Sequence, residues 1–507
     1  MWAALSFVVI LIILGVPLWW KMTEVERSFF PYSEIAELHS RNIIFPLHID
    51  VKTSSISAEN LVNDLENLFI QSSLFKVNLS ISTSSSFLNK SVIELEKMTE
   101  FHPHQPGYYQ IVQIESAFIE SKIAIGKHRT IYITSNCGAQ DIHKFFREII
   151  LNEKLLLDSV KTVISPGVMS ENTHYLRKVR PSPKYDVIFS VVNPQPEIIN
   201  FQWDNKHYIE RYFRPFLQKL LLLSDFRVKS QWLYLLDWHQ IPKKGKDRFE
   251  LNHLQIPHII TPLEKKIGSG VAQNPCINFV LFVTKCEYAP TVFINENEKT
   301  SNAILSARWG GVQLVNPNVT NCQDHVPMTV NPWTVMQVFL VQFKILLGLN
   351  DWSSRTDVLL KQDFVDIHSW EIDNLYRMRI LEQFISSRIT LTSLSQLLGE
   401  ISNIVITDEV GDAVLKSVND ISSTLQALSE GNLIEALNFS TQSFVASEFA
   451  FTHPSLLALL YFPDDQKYAV YIPLYLPVMI PVLLSLKNIF AWLKKKRANK
   501  KEKAKND

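Results

Sequence analysis

The sequence lacks the features that would mark it as an enzyme or a nucleic-acid binder. There is no G-x-S-x-G, no H-E-x-x-H, no phosphate-binding G-x-x-x-x-G-K-[ST] and no C-x-x-C, which leaves no local signature for a hydrolase elbow, a zinc protease, a nucleotide site or a redox pair. Glycine is scarce, 14 in 507 residues against 24 prolines, so the loops read as stiff rather than as mobile lids. Four cysteines (Cys137, Cys276, Cys286, Cys322) are too few for a disulfide scaffold. Cys276 and Cys286 flank INFVLFVT, a single strand whose ten residues span roughly 33 Å, and a disulfide needs Cα atoms within about 7 Å. Those two therefore do not pair. Either can bond Cys322 or Cys137, or all four are free. Net charge is zero, but KKKRANKKEKAKND (494–507) holds eight Lys/Arg and two acids, and the remaining 493 residues carry 42 basic and 48 acidic groups. No basic face remains to meet phosphates, which excludes nucleic acid as a partner.

Long apolar runs are what the chain does have. WAALSFVVILIILGVPLWW (Trp2–Trp20) contains no charge and reaches about 28 Å as a helix, close to the hydrocarbon thickness of a bilayer. A cleaved signal peptide would need a basic start and small residues before a cleavage site. The first basic residue is Lys21, and Val-Pro-Leu-Trp-Trp follows Gly15, so the segment reads as a retained anchor. A second run, from Tyr468 through Leu486 towards Leu493, is closed by Lys494-Lys495-Lys496-Arg497. The positive-inside rule places that tail in the cytoplasm, and two spans then put both termini there and residues 22–466 in a lumen. Lys21 and Arg27 argue the other way, but Glu24 and Glu26 lie among them. Four N-x-[ST] sequons, at Asn78, Asn89, Asn318 and Asn438, all fall between the spans, as glycosylation in a lumen requires.

Periodicity divides the middle. Residues 22–183 form a first α/β unit: FPLHIDVKT alternates as a half-buried strand, 58–72 has helical spacing with Ser57 as a candidate cap, and 108–116 and 129–135 read as strands. AQDIHKFFREIILNEKLLLD reads as one helix. ISTSSSFLNKS (81–91) reads as a loop. Residues 184–350 form a second α/β unit, with strands at 185–194, 231–238, 277–284 and 290–295. A helix at 205–226 is kinked near Pro215, and another lies at 333–349. Residues 351–466 read as a helical bundle broken at Gly399, Gly411 and Gly431. The predicted fold is thus an α/β lumenal domain plus a helical bundle or stalk, flanked by two transmembrane helices at 1–21 and 467–493, with a basic cytoplasmic tail at 494–507. No internal repeat is visible in the residues.

Four local groupings with chemical potential read as structural: His102 and His104 in HPHQP, with no acidic or thiol partner evident; Cys137 with His143; GSG at 268–270; and Asp237-Trp238-His239 after a strand. The reading is no catalytic residue, no metal and no cofactor.

The stretch PSLLALLYFPDDQKYAVYIPLYLP (454–477) resembles the C-terminal signature of the PIG-S family. GVPLWWK with Pro31-Tyr32, VVNPQPE with RYFRPFL (191–217), ARWGGVQLVN (307–316), SWEIDNL and LTSLSQLLGEISNIVI (391–406) resemble further family segments in the family's order. The resemblance implies a non-catalytic subunit of the endoplasmic-reticulum GPI transamidase, the complex that replaces a precursor's C-terminal signal with a preformed GPI anchor. Its cysteine nucleophile is then expected in a different, caspase-like subunit. Other transamidase subunits and membrane lipid, GPI included, are the implied partners. The alternatives are an independent double-anchored lumenal hydrolase or transferase, or a lipid-handling protein. Pro473, Pro477 and Pro481 each remove a backbone donor. The carbonyls thus freed need partners in lipid, so this face is expected to pack on other subunits' helices, with Tyr471 and Tyr475 as donors. Asp464-Asp465 reads either as a turn with Pro463 or as a contact to a basic loop or lipid amine. Lys503 and Lys505 read either as a dilysine-type retrieval signal or as part of a stop-transfer cluster.

Overall fold

A computed structural model describes the chain apart from residues 1–5, 7–8, 16, 19–20, 22–26, 54–57, 71, 84–89, 120, 165–176, 238–241, 246, 253–254, 268–271, 295–298, 319–325, 351–364, 402–403, 459–463 and 504–507. The chain forms two compact units. The larger comprises residues 42–386 and 420–442, and the smaller 1–41, 387–419 and 443–507.

The larger unit begins with β1 (Phe45–Thr53), α1 (Ala58–Phe69), β2 (Phe75–Thr83), α2 (Val92–Lys97), β3 (Tyr108–Gln113), β4 (Ile123–Ile125) and β5 (Thr130–Ile133). The strands form a sheet of order β2-β1-β3-β5-β4, parallel except for β4. The alternation of FPLHIDVKT appears as alternate burial along β1, with Phe45, Leu47, Ile49 and Val51 in the core. Strand β2 takes in residues 81–83, which had read as loop. The helix expected across 139–158 is broken. α3 (Ala139–Phe145) widens into a π-helical turn at Phe146–Ile150, and α4 (Glu153–Ile164) restarts after Asn152. Asn152 has φ +42, a left-handed conformation that asparagine tolerates better than most residues.

The second half runs β6 (Lys184–Asn193), β7 (Ile199–Phe201), α5 (Asn205–Tyr208), α6 (Arg214–Gln218), β8 (Asp225–Tyr234), β9 (Lys243–Lys244), β10 (Phe249–Asn252), α7 (Ile256–Lys266), β11 (Cys276–Val283), β12 (Thr291–Ile294), β13 (Thr300–Ser301), β14 (Ala303–Ser306), β15 (Gly310–Val315), β16 (Val326–Met328) and α8 (Pro332–Leu347). A five-stranded sheet has order β8-β6-β11-β15-β14, again parallel except for the last strand. Numbered within each half, both sheets have the order 2-1-3-5-4, with the fourth strand antiparallel at the edge. The chain therefore contains a topological duplication that no residue pattern reveals. Strands β6 and β11 are buried on both faces, which explains their unbroken apolar runs. Strand β12 does not join this sheet but pairs with β10 and β13 in a separate one.

Two expectations here were wrong in extent. The helix from Asn205 ends at Gln218, and residues 225–234, not 231–238, form the strand beside β6. Pro215 lacks an N–H and crowds the carbonyl four residues back. The chain accommodates it with a π-helical turn at Ile209–Phe213, where the Arg214 N–H bonds to the Ile209 carbonyl.

Helices α9 (Ser369–Glu400), α10 (Asp408–Ser429) and α11 (Leu433–Phe451) follow, then α12 (Asp464–Lys503). Gly399 and Gly411 lie inside helices rather than between them. Gly411 is there for close approach: a Cβ would stand 2.9 Å from the Phe29 carbonyl oxygen. Only Gly431, at φ +83, marks a break. In the smaller unit the Arg27 guanidinium donates to the carbonyls of Leu398 (2.6 Å) and Ile401 (3.3 Å) at the end of α9, where helix carbonyls lack partners and favour a cation. Arg27 therefore has a local structural use.

The α/β domain and the helical region thus agree with expectation, while the transmembrane helices do not emerge in the same way. Among the described residues no helix is long and apolar enough to cross a membrane. α12 does run unbroken through Pro473, Pro477 and Pro481.

Candidate functional site

The first half of α9, SWEIDNLYRMRILEQF, is polar by composition, yet Glu371, Asp373, Arg377, Arg379 and Glu382 are all buried. Burial of charge is tolerated only with partners, and most partners here come from outside the helix. Asp373, fully buried, takes two bonds from Arg129, from Nη2 at 2.6 Å and Nε at 2.7 Å. It also accepts from the Tyr109 hydroxyl (3.0 Å) and the Gly107 N–H (3.2 Å). Arg377 donates to the Tyr109 hydroxyl at 3.1 Å. Glu371 meets Lys344 of α8 at 3.1 Å and His368 at 2.7 Å. Burial pushes the Glu371 carboxyl up, but Lys344 and His368 outweigh it and hold the group down to about 2. Lys178, entering β6, meets Glu382 at 2.6 Å. The Trp370 indole N–H donates to the Gly126 carbonyl at 3.1 Å. One helix is thereby fastened to the first sheet by Asp373 and Trp370, and to the second by Glu371 and Glu382. Buried pairs add little net stability but specify one arrangement. This is the chemistry of a rigid body.

Of the two histidines of HPHQP, His104 is exposed and His102 is not. His102 is buried, and the fold brings Glu96 of α2 and His128 to it, with ligand-type atoms within 4.8 Å of one another. That acidic partner is invisible in the sequence, but the atoms are committed elsewhere. His102 Nε2 faces the Leu95 carbonyl (3.0 Å), which can only accept, so Nε2 carries the proton. Nδ1 then accepts from Thr130 Oγ1 (2.7 Å), which accepts in turn from Gln110 (2.7 Å). Glu96 accepts from the Tyr132 hydroxyl (2.7 Å) and the Lys127 N–H (3.0 Å). A metal would have to break this chain, so the cluster reads as a hydrogen-bond network.

Burial, helped by His128, lowers the His102 pKa from 6.5 to about 4. The folded state then binds fewer protons than the unfolded state between those values, so stability is lost as pH falls from about 6.5 towards 4. We expect the melting temperature of the full chain to drop across that window, and His102→Gln to flatten the drop. A variant with the wild-type pH profile would refute this assignment.

Cys137 and His143 form no dyad. Burial, with Asp141, pushes the Cys137 thiol up to about 11, and its Sγ faces the Gly138 carbonyl, so it is no nucleophile at neutral pH. His143 instead packs edge-on against Phe69. Asp237 pairs with Lys285 at 2.5 Å. Cys276 takes part in no disulfide whereas Cys286 is disulfide-bonded, which agrees with the exclusion of a bond between them.

Ligands of doubly wound sheets sit beyond the carboxyl ends of the parallel strands, where strand order reverses. In the second sheet that place, between β6 and β11, is filled by VVNPQPE. Asn193 donates to the Ile199 carbonyl (2.8 Å) and accepts from the Gln195 N–H (3.1 Å), and the Gln195 carboxamide accepts from the Cys286 N–H (3.0 Å). A cavity of about 650 Å³ lies instead at the end of β15, between Gln313, Asn316, Pro317, Met328 and Thr334.

The other predicted positions are scattered. Asn78 is exposed on β2, Asn438 is exposed on α11, and Asn318 is exposed at the cavity. Pro473, Pro477 and Pro481 stand exposed on α12. Asp464 and Asp465 are its first residues and Lys503 its last. The side chains of Tyr471, Tyr475, Asp464, Asp465 and Lys503 lie outside the described residues, as do Asn89, Lys505, Cys322, Trp238, His239 and GSG 268–270.

Residues 6–496 match the family model described as PIG-S: Phosphatidylinositol-glycan biosynthesis class S protein. The chain is 32% identical to the rat protein named GPI-anchor transamidase component PIGS, over 96% of this chain and 94% of the relative. The human protein of the same name matches at the same identity and coverage. The fission yeast GPI transamidase component PIG-S homolog, from Schizosaccharomyces pombe, is 27% identical over 96% of this chain and 82% of its own. A match over almost the whole of both chains leads to one conclusion: the chain belongs to the PIG-S family.

Proposed function

We propose that the protein is a non-catalytic structural subunit of the endoplasmic-reticulum GPI transamidase, which replaces the C-terminal signal of precursor proteins with a preformed GPI anchor. The observation that carries this reading is the family match along almost the whole chain to relatives named as components of that complex. The structure supports the non-catalytic part: the buried charges are consumed in fastening α9, and Cys137 is a protonated thiol. The cysteine nucleophile is assigned to a caspase-like partner subunit.

Residues 467–493 are assigned to a membrane span. At 1.5 Å per residue α12 is about 60 Å long, and Ile472, Leu476, Ile480, Leu483 and Leu484 all stand exposed along it, a surface that suits lipid or apolar helices. With residues 1–21 as the other span, both termini are cytoplasmic and the body is lumenal. Arg27, engaged at the end of α9, is a structural charge rather than an orientation signal.

Depleting the protein should make a GPI-anchored reporter accumulate with its C-terminal signal uncleaved, seen as a larger band on a gel. Normal processing would remove the assignment. In the rescued strain, leucine at Pro473, Pro477 and Pro481 together should reduce co-purification of the other subunits. Unchanged recovery would reject the proline face as a packing surface.

A further inference from the structure

We propose that the cavity at the carboxyl end of β15 seats the inner sugars of an N-glycan attached to Asn318. This rests on the lumenal reading of the body, because glycans are added only there.

The cavity lies wholly within the larger unit, and its volume, about 650 Å³, is in the range of sites for small organic ligands. Among the described residues no charged side chain lines it. An ionic ligand would lose its hydration without a counter-charge, so the occupant is neutral. Amides and hydroxyls (Asn302, Gln313, Thr334) alternate with apolar surface (Ile199, Met328, Val338). That mixture matches a pyranose, which has hydroxyl edges and C–H faces.

Gln313 supplies the second observation. It is 9% exposed, and its Oε1 has no hydrogen-bond partner among the described residues. A buried acceptor left unpaired is costly, so the site calls for a donor from outside the fold. A sugar hydroxyl or the acetamido N–H of N-acetylglucosamine is such a donor.

Asn318 names the source. It lines the same cavity, its own side chain is exposed, and it heads the sequon Asn-Val-Thr. A covalent tether at the rim raises the local concentration of the first sugars to the millimolar range or above, so even weak contacts are made. Asn78, exposed on a strand of the first sheet, and Asn438, exposed on α11, line no such cavity among the described residues.

The test uses the full chain in its purified complex. Site occupancy is read by mass spectrometry, and glycan release by peptide N-glycosidase is timed on native protein. Asn318 should be occupied, and its release should be at least tenfold slower than in the variant Gln313→Leu, which removes the acceptor. Thr334→Trp, on the exposed first turn of α8, fills the mouth without touching the core. It should accelerate release likewise and covers the case in which Gln313→Leu does not fold. Native release at the same rate in wild type and Thr334→Trp would overturn the proposal. So would an unmodified Asn318 alongside another occupied sequon, and the cavity would then fit a neutral peptide strand. Absence of sugar from all four sequons would instead overturn the lumenal reading on which the proposal rests.

Discussion

Asp373→Asn should destabilise the larger unit by about 3–5 kcal/mol, the cost of leaving one member of a buried ion pair without its partner. Arg129 is buried, and both its Nε and Nη2 bonds end on Asp373. The same carboxylate also accepts from Tyr109 and Gly107, so three partners from the first sheet lose their common acceptor charge. Urea unfolding of the purified chain would show the loss as a fall in midpoint. Removing both charges together, Arg129→Met with Asp373→Leu, should recover most of it, because the penalty comes from the orphaned guanidinium rather than from the lost attraction. A single variant within about 1 kcal/mol of wild type would show that the pair is solvated and that α9 is not fastened in this way.

The second large effect is expected at Gly310. Its φ is +147 and a Cβ would lie 1.8 Å from the Asn278 carbonyl oxygen, an atom of β11's backbone in register with it. The strand cannot yield without breaking the ladder, so Gly310→Ala should cost about 3 kcal/mol or more, and the chain should become sensitive to limited proteolysis. Its neighbour is a useful contrast. A Cβ on Gly311 meets the carboxamide of Gln342 on α8, also at 1.8 Å. That is a flexible side-chain tip, which can turn away, so Gly311→Ala should cost less than half as much. Equal effects would mean that crowding from α8, not strand contact, explains both glycines. The segment Trp309-Gly310-Gly311 was recognisable in the sequence as a motif, but the separate physical reason for each glycine was not.

What was legible locally followed from periodicity. The alternation of FPLHIDVKT predicts β1, the continuous apolar runs predict β6 and β11, and the strand length between Cys276 and Cys286 excludes their pairing. What failed did so where a competing local rule won. Asn152 adopts a left-handed turn and splits a helix, Pro215 is absorbed by a π-helical turn, and Gly411 sits inside a helix because a neighbouring carbonyl comes close. The burial of SWEIDNLYRMRILEQF could not be read at all, since its charges look solvated until partners as far as 268 residues away are in place.

By itself the sequence determined the family, the absence of a catalytic signature and the existence of alternating α/β segments, because these depend on residue identity and spacing along the chain. Tertiary structure alone decided that the two sheets repeat one topology, that Glu96 and His128 surround His102, that VVNPQPE fills the usual ligand crevice, and that an unpaired Gln313 shares a cavity with Asn318. Each of these brings together groups distant along the chain, and only the three-dimensional closure of the sheets decides which of them meet.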